Sequence, residues 1–296
     1  MKKSTAKAEL RRMGLQRARA SLIQKKERTG VSVWRVRRGS ARYVLKLFSL
    51  PESRREIENY RILGAIGVPT LRVLGQSERA LLLEDMKSVA CPWRLGTEED
   101  LQSPVVARQL AAWYRALHGN GQPAARAQSL YAETDCITRE NIRFMQTKTE
   151  TADAPVWGLI EAHLAQIQAA VAALPRTLTY NDFDVPNLAV AKDGTAALVY
   201  DYDNLGCGYA YADIRNVCYC LGEEAKAVFL AAYGDFSSAE AMIDRLADPL
   251  TTLFHACNRW NFPSWAQDPL EQIKNGALEQ AVTAFLASIS WKAEQT

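Results

Sequence analysis

Long apolar runs are missing from this chain. No stretch approaches the roughly 20 apolar residues that a helix needs to cross a bilayer. The basic amino-terminal stretch is not followed by an apolar signal segment, so the expectation is a cytoplasmic protein with no membrane partner. Cysteine is scattered: Cys91, Cys136, Cys207, Cys218, Cys220 and Cys257 form no CxxC pair and have no histidine at metal spacing. That pattern gives no support to a structural zinc site and points to reduced thiols. The three histidines, His118, His163 and His255, lie in helical patterns and read as packing or surface residues. A GxGxxG loop, an internal repeat and a low-complexity segment are all absent. Charge of one sign is not in excess either: 36 Lys and Arg face 33 Asp and Glu, a balance that does not indicate nucleic acid.

What is present is enough apolar material, 48% of 296 residues, to bury a sizeable core in one or two domains. Basic residues gather at the amino terminus, from Lys2 to Arg28, against only Glu9 and Glu27, and residues 7–27 read as a helix ending near Gly30, either a basic surface helix or a contact for an anionic partner. VSVWRV and ARYVLKLF then alternate apolar with polar side chains, as two strands joined at Arg38-Gly39-Ser40 do. Ser49-Leu50-Pro51-Glu52 has the form of a capping box with an early proline, opening a helix that runs to about Leu63. LRVLGQS and ALLLEDM are two further strands. Beyond about Leu101 the apolar spacing becomes helical, in VVARQLAAWYRALHG, from about 156 to 174, and over most of 223–292. One hairpin interrupts it: LTY with NLAV, then ALVYDYD, turning at Lys192-Asp193-Gly194. The chain is therefore an α+β protein with a boundary near residue 86.

Two constellations carry chemistry. In the loop Asn181-Asp182-Phe183-Asp184-Val185-Pro186-Asn187, Asp182 precedes a strand that leads, through a turn, to a second strand ending in Asp201-Tyr202-Asp203. A hairpin brings such carboxylates together, and two acids with the Asn187 amide make a hard-oxygen site of the kind Mg²⁺ favours. In YVLKLF, Lys46 interrupts an apolar strand, where an unpaired charge is expensive. The next helix offers Glu56 and Glu58. Glu56 shares a face with Tyr60 and Leu63 and is the expected partner, with Glu58 the alternative if the helix begins later. A strand lysine, a helix glutamate and a downstream Asp, Asn and Asp are the parts of a kinase-type phosphoryl-transfer site.

With these motifs the sequence resembles the aminoglycoside phosphotransferase and choline kinase-like family, the small-molecule branch of the protein-kinase-like fold. The family loop H-[GN]-D-x-x-x-x-N stands here as Tyr180 to Asn187, its metal segment as LVYDYD, and the following G-x-x-x-x-D-[LI] as Gly208 to Ile214. Leu117-His118 closes the helix before the loop. The resemblance covers about 30–217. It implies a two-lobe fold: a small amino-terminal sheet lobe, 1–86, binding nucleotide, and a larger, mainly helical lobe, 87–296, for catalysis and substrate.

By the same resemblance, Lys46 would contact the α/β-phosphates and pair with Glu56. Asp182 would be the catalytic base, and Asn187 and Asp201 would ligate Mg²⁺. The Glu84 carbonyl and Met86 amide would meet the base of ATP or GTP, a loop near Thr29, Gly30 and Ser32 would cover the phosphates, and Asp213 would be structural. The implied activity is transfer of the γ-phosphate to a hydroxyl of a small molecule. Tyr180 stands where the family has histidine. That change and the missing glycine motif keep a nucleotide-binding pseudokinase as an alternative, whereas a protein kinase is disfavoured because no DFG with an APE follows. Phe254, His255, Asn258, Trp260, Phe262 and Trp265 could box a quaternary ammonium such as choline or simply pack helices. The carboxyl-terminal acids are too dispersed to mark a polycation pocket for an aminoglycoside.

Overall fold

A computed structural model describes residues 3–293, so Lys2 of the basic segment lies outside the described residues. Helix α1 (Lys3–Arg12) is followed by strands β1 (Arg19–Lys26), β2 (Val31–Arg38) and β3 (Ala41–Phe48), helix α2 (Arg55–Ala65), and strands β4 (Val73–Ser77) and β5 (Ala80–Glu84). The five strands form one antiparallel sheet in the order β1-β2-β3-β5-β4. Alternation along β2 and β3 sends Trp34, Val36, Leu45 and Leu47 to one face, where they pack with Ala6 and Leu10 of α1. Lys46 points to the other.

The helix expected over 7–27 is therefore two elements. Gly14, at φ +76°, ends the helical turn, and the chain then pairs with β2 as an edge strand. Of the eight β1 residues only Ala20 is buried, so no alternation of burial marks the strand, and cross-strand pairing overrides a helix-compatible composition. The capping box is not formed either. The Ser49 hydroxyl donates to the Gly30 carbonyl at 2.7 Å, a short 3-10 turn occupies 52–54, and α2 begins without a side-chain cap.

The remainder is mainly helical: β6 (Trp93–Leu95), α3 (Pro104–Ala127), α4 (Arg139–Lys148), α5 (Pro155–Ala172), β7 (Thr177–Thr179), β8 (Leu188–Ala191), β9 (Ala197–Val199), β10 (Gly206–Gly208), and α6 (Ala210–Cys220) to α10 (Ala277–Ala293), with α7 (Glu223–Tyr233), α8 (Ser238–Cys257) and α9 (Gln267–Lys274) between. The hairpin turning at Gly194 is β8 with β9, and β6 adds to its edge. The run LTY does not belong to that hairpin; as β7 it pairs with β10. β6 and β10, three residues each, are too short to show a period.

Contacts divide the chain into two compact units. Residues 1–124, 180–205 and 215–234 make the first, and 125–179, 206–214 and 235–296 the second. The second is built on Trp157, Ile160 and Leu164 of α5 packed with Leu246, Leu250 and Leu253 of α8 and Val282 and Phe285 of α10. No helix among the described residues is long and apolar enough to cross a membrane.

Candidate active site

Lys46 lies in the middle of β3, opposite Val33 on one side and Leu81 on the other. Buried there, its ammonium meets two acids: Glu56 Oε1 at 2.6 Å and Asp201 Oδ1 at 2.8 Å. The helical period of α2 explains the choice of glutamate, because Glu56, Tyr60 and Leu63 form its buried stripe. Glu58 sits on the exposed side and accepts from Arg61 Nε at 2.8 Å.

Asp201 follows β9 and takes a left-handed backbone, φ +66°, which for a residue with a Cβ persists only where surrounding contacts over-determine it. Those contacts come largely from α2. Asn59 donates to the Tyr202 carbonyl at 2.7 Å, and Arg55 reaches Asp203 at 3.3 Å. The Asp182 loop is held in the same way. Asn181, at φ +64°, donates to the Asn204 carbonyl, and Asn187 Nδ2 donates to the Asp182 carbonyl at 3.0 Å and to its Oδ2 at 3.1 Å. Leu188 stands opposite Val199, so the β8–β9 register brings Asn187 level with Tyr200, whose amide donates to the Asn187 carbonyl at 2.9 Å. Hairpin register thus brings the two loops together.

The two aspartates are tuned in opposite directions. Burial pushes the Asp182 carboxyl up to about 6, the Asp201 charge adds to the rise, and hydrogen bonds from Asn204 and Asn187 only partly offset it. Burial also acts on Asp201, but there Lys46, and then Lys26, outweigh it and hold the carboxyl below its ordinary range. Burial works against the Lys46 ammonium as well, yet Glu56 and Asp201 raise its pKa. On Glu56, burial pushes the carboxyl up to about 7 against the pull of Lys46. With 2.6 Å between ammonium and carboxylate we take the pair as charged, since each ion supplies what the other's burial requires.

Oxygen donors for a metal remain. Asn187 Oδ1 accepts no hydrogen bond among the described residues, and Asp201 Oδ2 has only a 3.8 Å contact with Lys26. These hard ligands fit Mg²⁺, which takes few protein ligands and completes its shell with water and phosphate. Glu84 ends β5, its carboxylate accepting from the Arg72 amide at 2.8 Å, and Met86 lies half-buried two residues on, with an amide that makes no hydrogen bond among the described residues. Ser32 is on the other face of the sheet from Lys46, buried, its hydroxyl accepting from Trp34 Nε1 at 2.9 Å.

Tyr180, at the position of the family histidine, is fully buried and donates to the Tyr200 carbonyl at 2.5 Å. Asn59, Asn204 and Lys26 carry no motif in the sequence; for Lys26 the signal is strand register, which a helix over 7–27 does not supply. The carboxyl-terminal aromatics do not converge. Phe254 and Phe262 pack on the core of the second unit, while Trp260 is 99% exposed. Asp213 is buried at the start of α6. A cavity of about 460 Å³ in the second unit, lined by Ile137, Ile167, Leu174 and Arg176 among others, contains none of the expected site residues.

The sequence model described as "Phosphotransferase enzyme family" matches residues 27–250. Among curated proteins, none matches the chain significantly. Solved structures share its fold. Choline kinase from Cryptosporidium parvum superposes with a TM-score of 0.63 at 14% identity, covering 95% of this chain and 98% of its own. Macrolide 2'-phosphotransferase from Brachybacterium faecium gives 0.57 at 18% identity, over 91% and 97%. Spectinomycin phosphotransferase in complex with ADP and spectinomycin gives 0.53 at 13%, over 86% and 88%.

Proposed function

Because the chain belongs to the phosphotransferase enzyme family, we propose that it is a small-molecule kinase moving the γ-phosphate of ATP or GTP to an alcohol in the cytoplasm. The observation that carries this reading is the buried Lys46 held between Glu56 and Asp201, with Asp182 and Asn187 on the adjoining loop. Residues 1–86 act as the nucleotide lobe, with the Glu84 carbonyl and Met86 amide at the base, and 87–296 as the catalytic and substrate lobe. Lys46 meets the α/β-phosphates, with Glu56 keeping its ammonium aimed along the face of the sheet.

Asp182, ionised above about pH 6, accepts the proton of the acceptor hydroxyl as its oxygen bonds to the γ-phosphorus and the bond to the nucleoside diphosphate breaks. Mg²⁺, held by Asn187 and Asp201 when bound, supplies positive charge at the phosphate oxygens. Tyr180 supports the loop in place of histidine through its bond to Tyr200, which favours an active enzyme over a pseudokinase. The acceptor is a small-molecule alcohol, and ethanolamine, choline, spectinomycin and macrolides, named for the neighbouring kinases, are the compounds to try first.

A screen of amino alcohols, aminoglycosides and macrolides with γ-labelled ATP and GTP tests this. Label should appear in one acceptor class with the wild-type chain and not with Asp182→Asn. Nucleotide binding without transfer to any acceptor would replace this reading by the pseudokinase.

A further inference from the structure

Strand β1 ends on two lysines that the pleat sends to opposite faces. Lys25 pairs with Glu27 at 2.7 Å in the turn that follows, whereas Lys26 reaches Asp201, Nζ to Oδ2 3.8 Å. Sheet register accounts for that reach. Lys26 stands opposite Val31, Val31 stands opposite Phe48, and Phe48 is two residues beyond Lys46 on β3. Lys26 and Lys46 therefore share a face, and each takes one oxygen of the same carboxylate.

The two contacts differ in kind. Lys46 is buried between two acids, but the Lys26 side chain is 49% exposed at a longer distance. A pair so placed contributes little to stability and is easily exchanged for another anion. The base of the side chain is anchored. In the β1–β2 turn the Thr29 carbonyl accepts from Ser53, and the Gly30 carbonyl accepts from the Ser49 hydroxyl and amide. Lys26 is thus a mobile charge on a fixed mount.

We propose that Lys26 is a second phosphate-contacting residue, an inference that rests on the phosphotransferase reading above. Lys26 is the counter-charge on the outer oxygen of Asp201. Once that oxygen serves a cation bound with the nucleotide, the ammonium is repelled from it, and the nearest anions are the terminal phosphate oxygens. Lys26 then turns to the β/γ end of the triphosphate, while Lys46 remains on the inner face.

The test is calorimetric binding of ATP and AMP, each with and without Mg²⁺, to the full chain and to Lys26→Ala, Lys26→Arg and Lys46→Ala, with circular dichroism to establish folding. Lys26→Ala should weaken ATP binding about tenfold, the scale of one charge-assisted contact, and leave AMP binding within about twofold. Lys26→Arg should retain most of the ATP affinity. If Lys26→Ala binds ATP as wild type does while Lys46→Ala is impaired, Lys26 has no phosphate role and the kinase reading stands. If neither substitution affects ATP, the nucleotide reading itself falls. Equal loss for ATP and AMP would place the effect outside the β/γ end of the triphosphate and overturn the proposal.

Discussion

Asp182 and Asp201 stand on neighbouring loops, beside a residue with positive φ in one case and itself at positive φ in the other, yet their surroundings treat them differently. Asp182 is contacted by neutral amides, Asn187 and Asn204, so burial governs it and its carboxyl rises to about 6. Asp201 is contacted by the ammonium groups of Lys46 and Lys26, and its carboxyl is held down despite burial. Charge near a buried acid thus decides whether it takes up a proton readily or stays an anion. A group that must exchange a proton near neutral pH belongs in the first environment, and one that must remain a permanent anionic ligand belongs in the second.

The largest effect expected from breaking this contrast is at Asp201. Asp201→Ala should abolish turnover, because it removes one of the two acids on Lys46 and, on the proposed reading, an anionic ligand of Mg²⁺. Steady-state assays over a Mg²⁺ titration check this; near wild-type turnover with normal Mg²⁺ dependence would sink the assignment, and Asp203 would be the next ligand to examine.

Asp182→Asn should lower kcat by on the order of 10² or more while nucleotide affinity stays within a few-fold, as for loss of a positioned base. Single-turnover rates and equilibrium binding, measured on the same preparation, separate the two quantities. A change in affinity as large as the change in rate would mean that Asp182 holds nucleotide and does not act on the acceptor.

A third outcome concerns acidity. If Asp182 is the base, kcat/KM should fall about tenfold per pH unit below pH 6 as its carboxyl protonates, and this limb should disappear in Asp182→Asn. Asp201, held below the ordinary range, should add no limb between pH 5 and 8. A limb that survives in Asp182→Asn belongs to another group.

The smallest effect is on stability, and its sign differs between the two sites. Raising a carboxyl pKa on folding gives stability that is present below the unfolded value, near 3.8, and lost as pH rises through about 6. Asp182→Asn removes that loss and should stabilise the chain at neutral pH by about 1–3 kcal/mol, a gain that vanishes near pH 4. A lowered carboxyl pKa gives stability present above 3.8 and lost as pH falls through the folded value, so Asp201→Asn should destabilise at neutral pH. Thermal unfolding at pH 4 and 7.5 compares both, and shifts of the same sign would refute the contrast.

Local pattern was enough for much of this. The alternation in VSVWRV and ARYVLKLF announced β2 and β3, a lysine in an apolar strand announced a buried pair, and the helical spacing of Glu56, Tyr60 and Leu63 selected the partner. Spacing also placed Asp182, Asn187 and Asp201 on adjoining loops, since a turn at Gly194 folds their flanking strands together. These features are readable because strand and helix periods impose burial on consecutive residues.

Tertiary structure decided the rest. β1 has almost no buried side chain, so only pairing with β2 makes it a strand, and only that pairing carries Lys26 to Asp201. Ser32 is close in sequence to the expected phosphate loop, but sheet register turns its side chain toward Trp34. Asn59 and Asn204 have no local signal, because what each bonds lies far away in the chain. The contrasting acidities of two identical side chains belong to the same class: a carboxyl's pKa is set by the charges and solvent folded around it, and residues distant in sequence supply both.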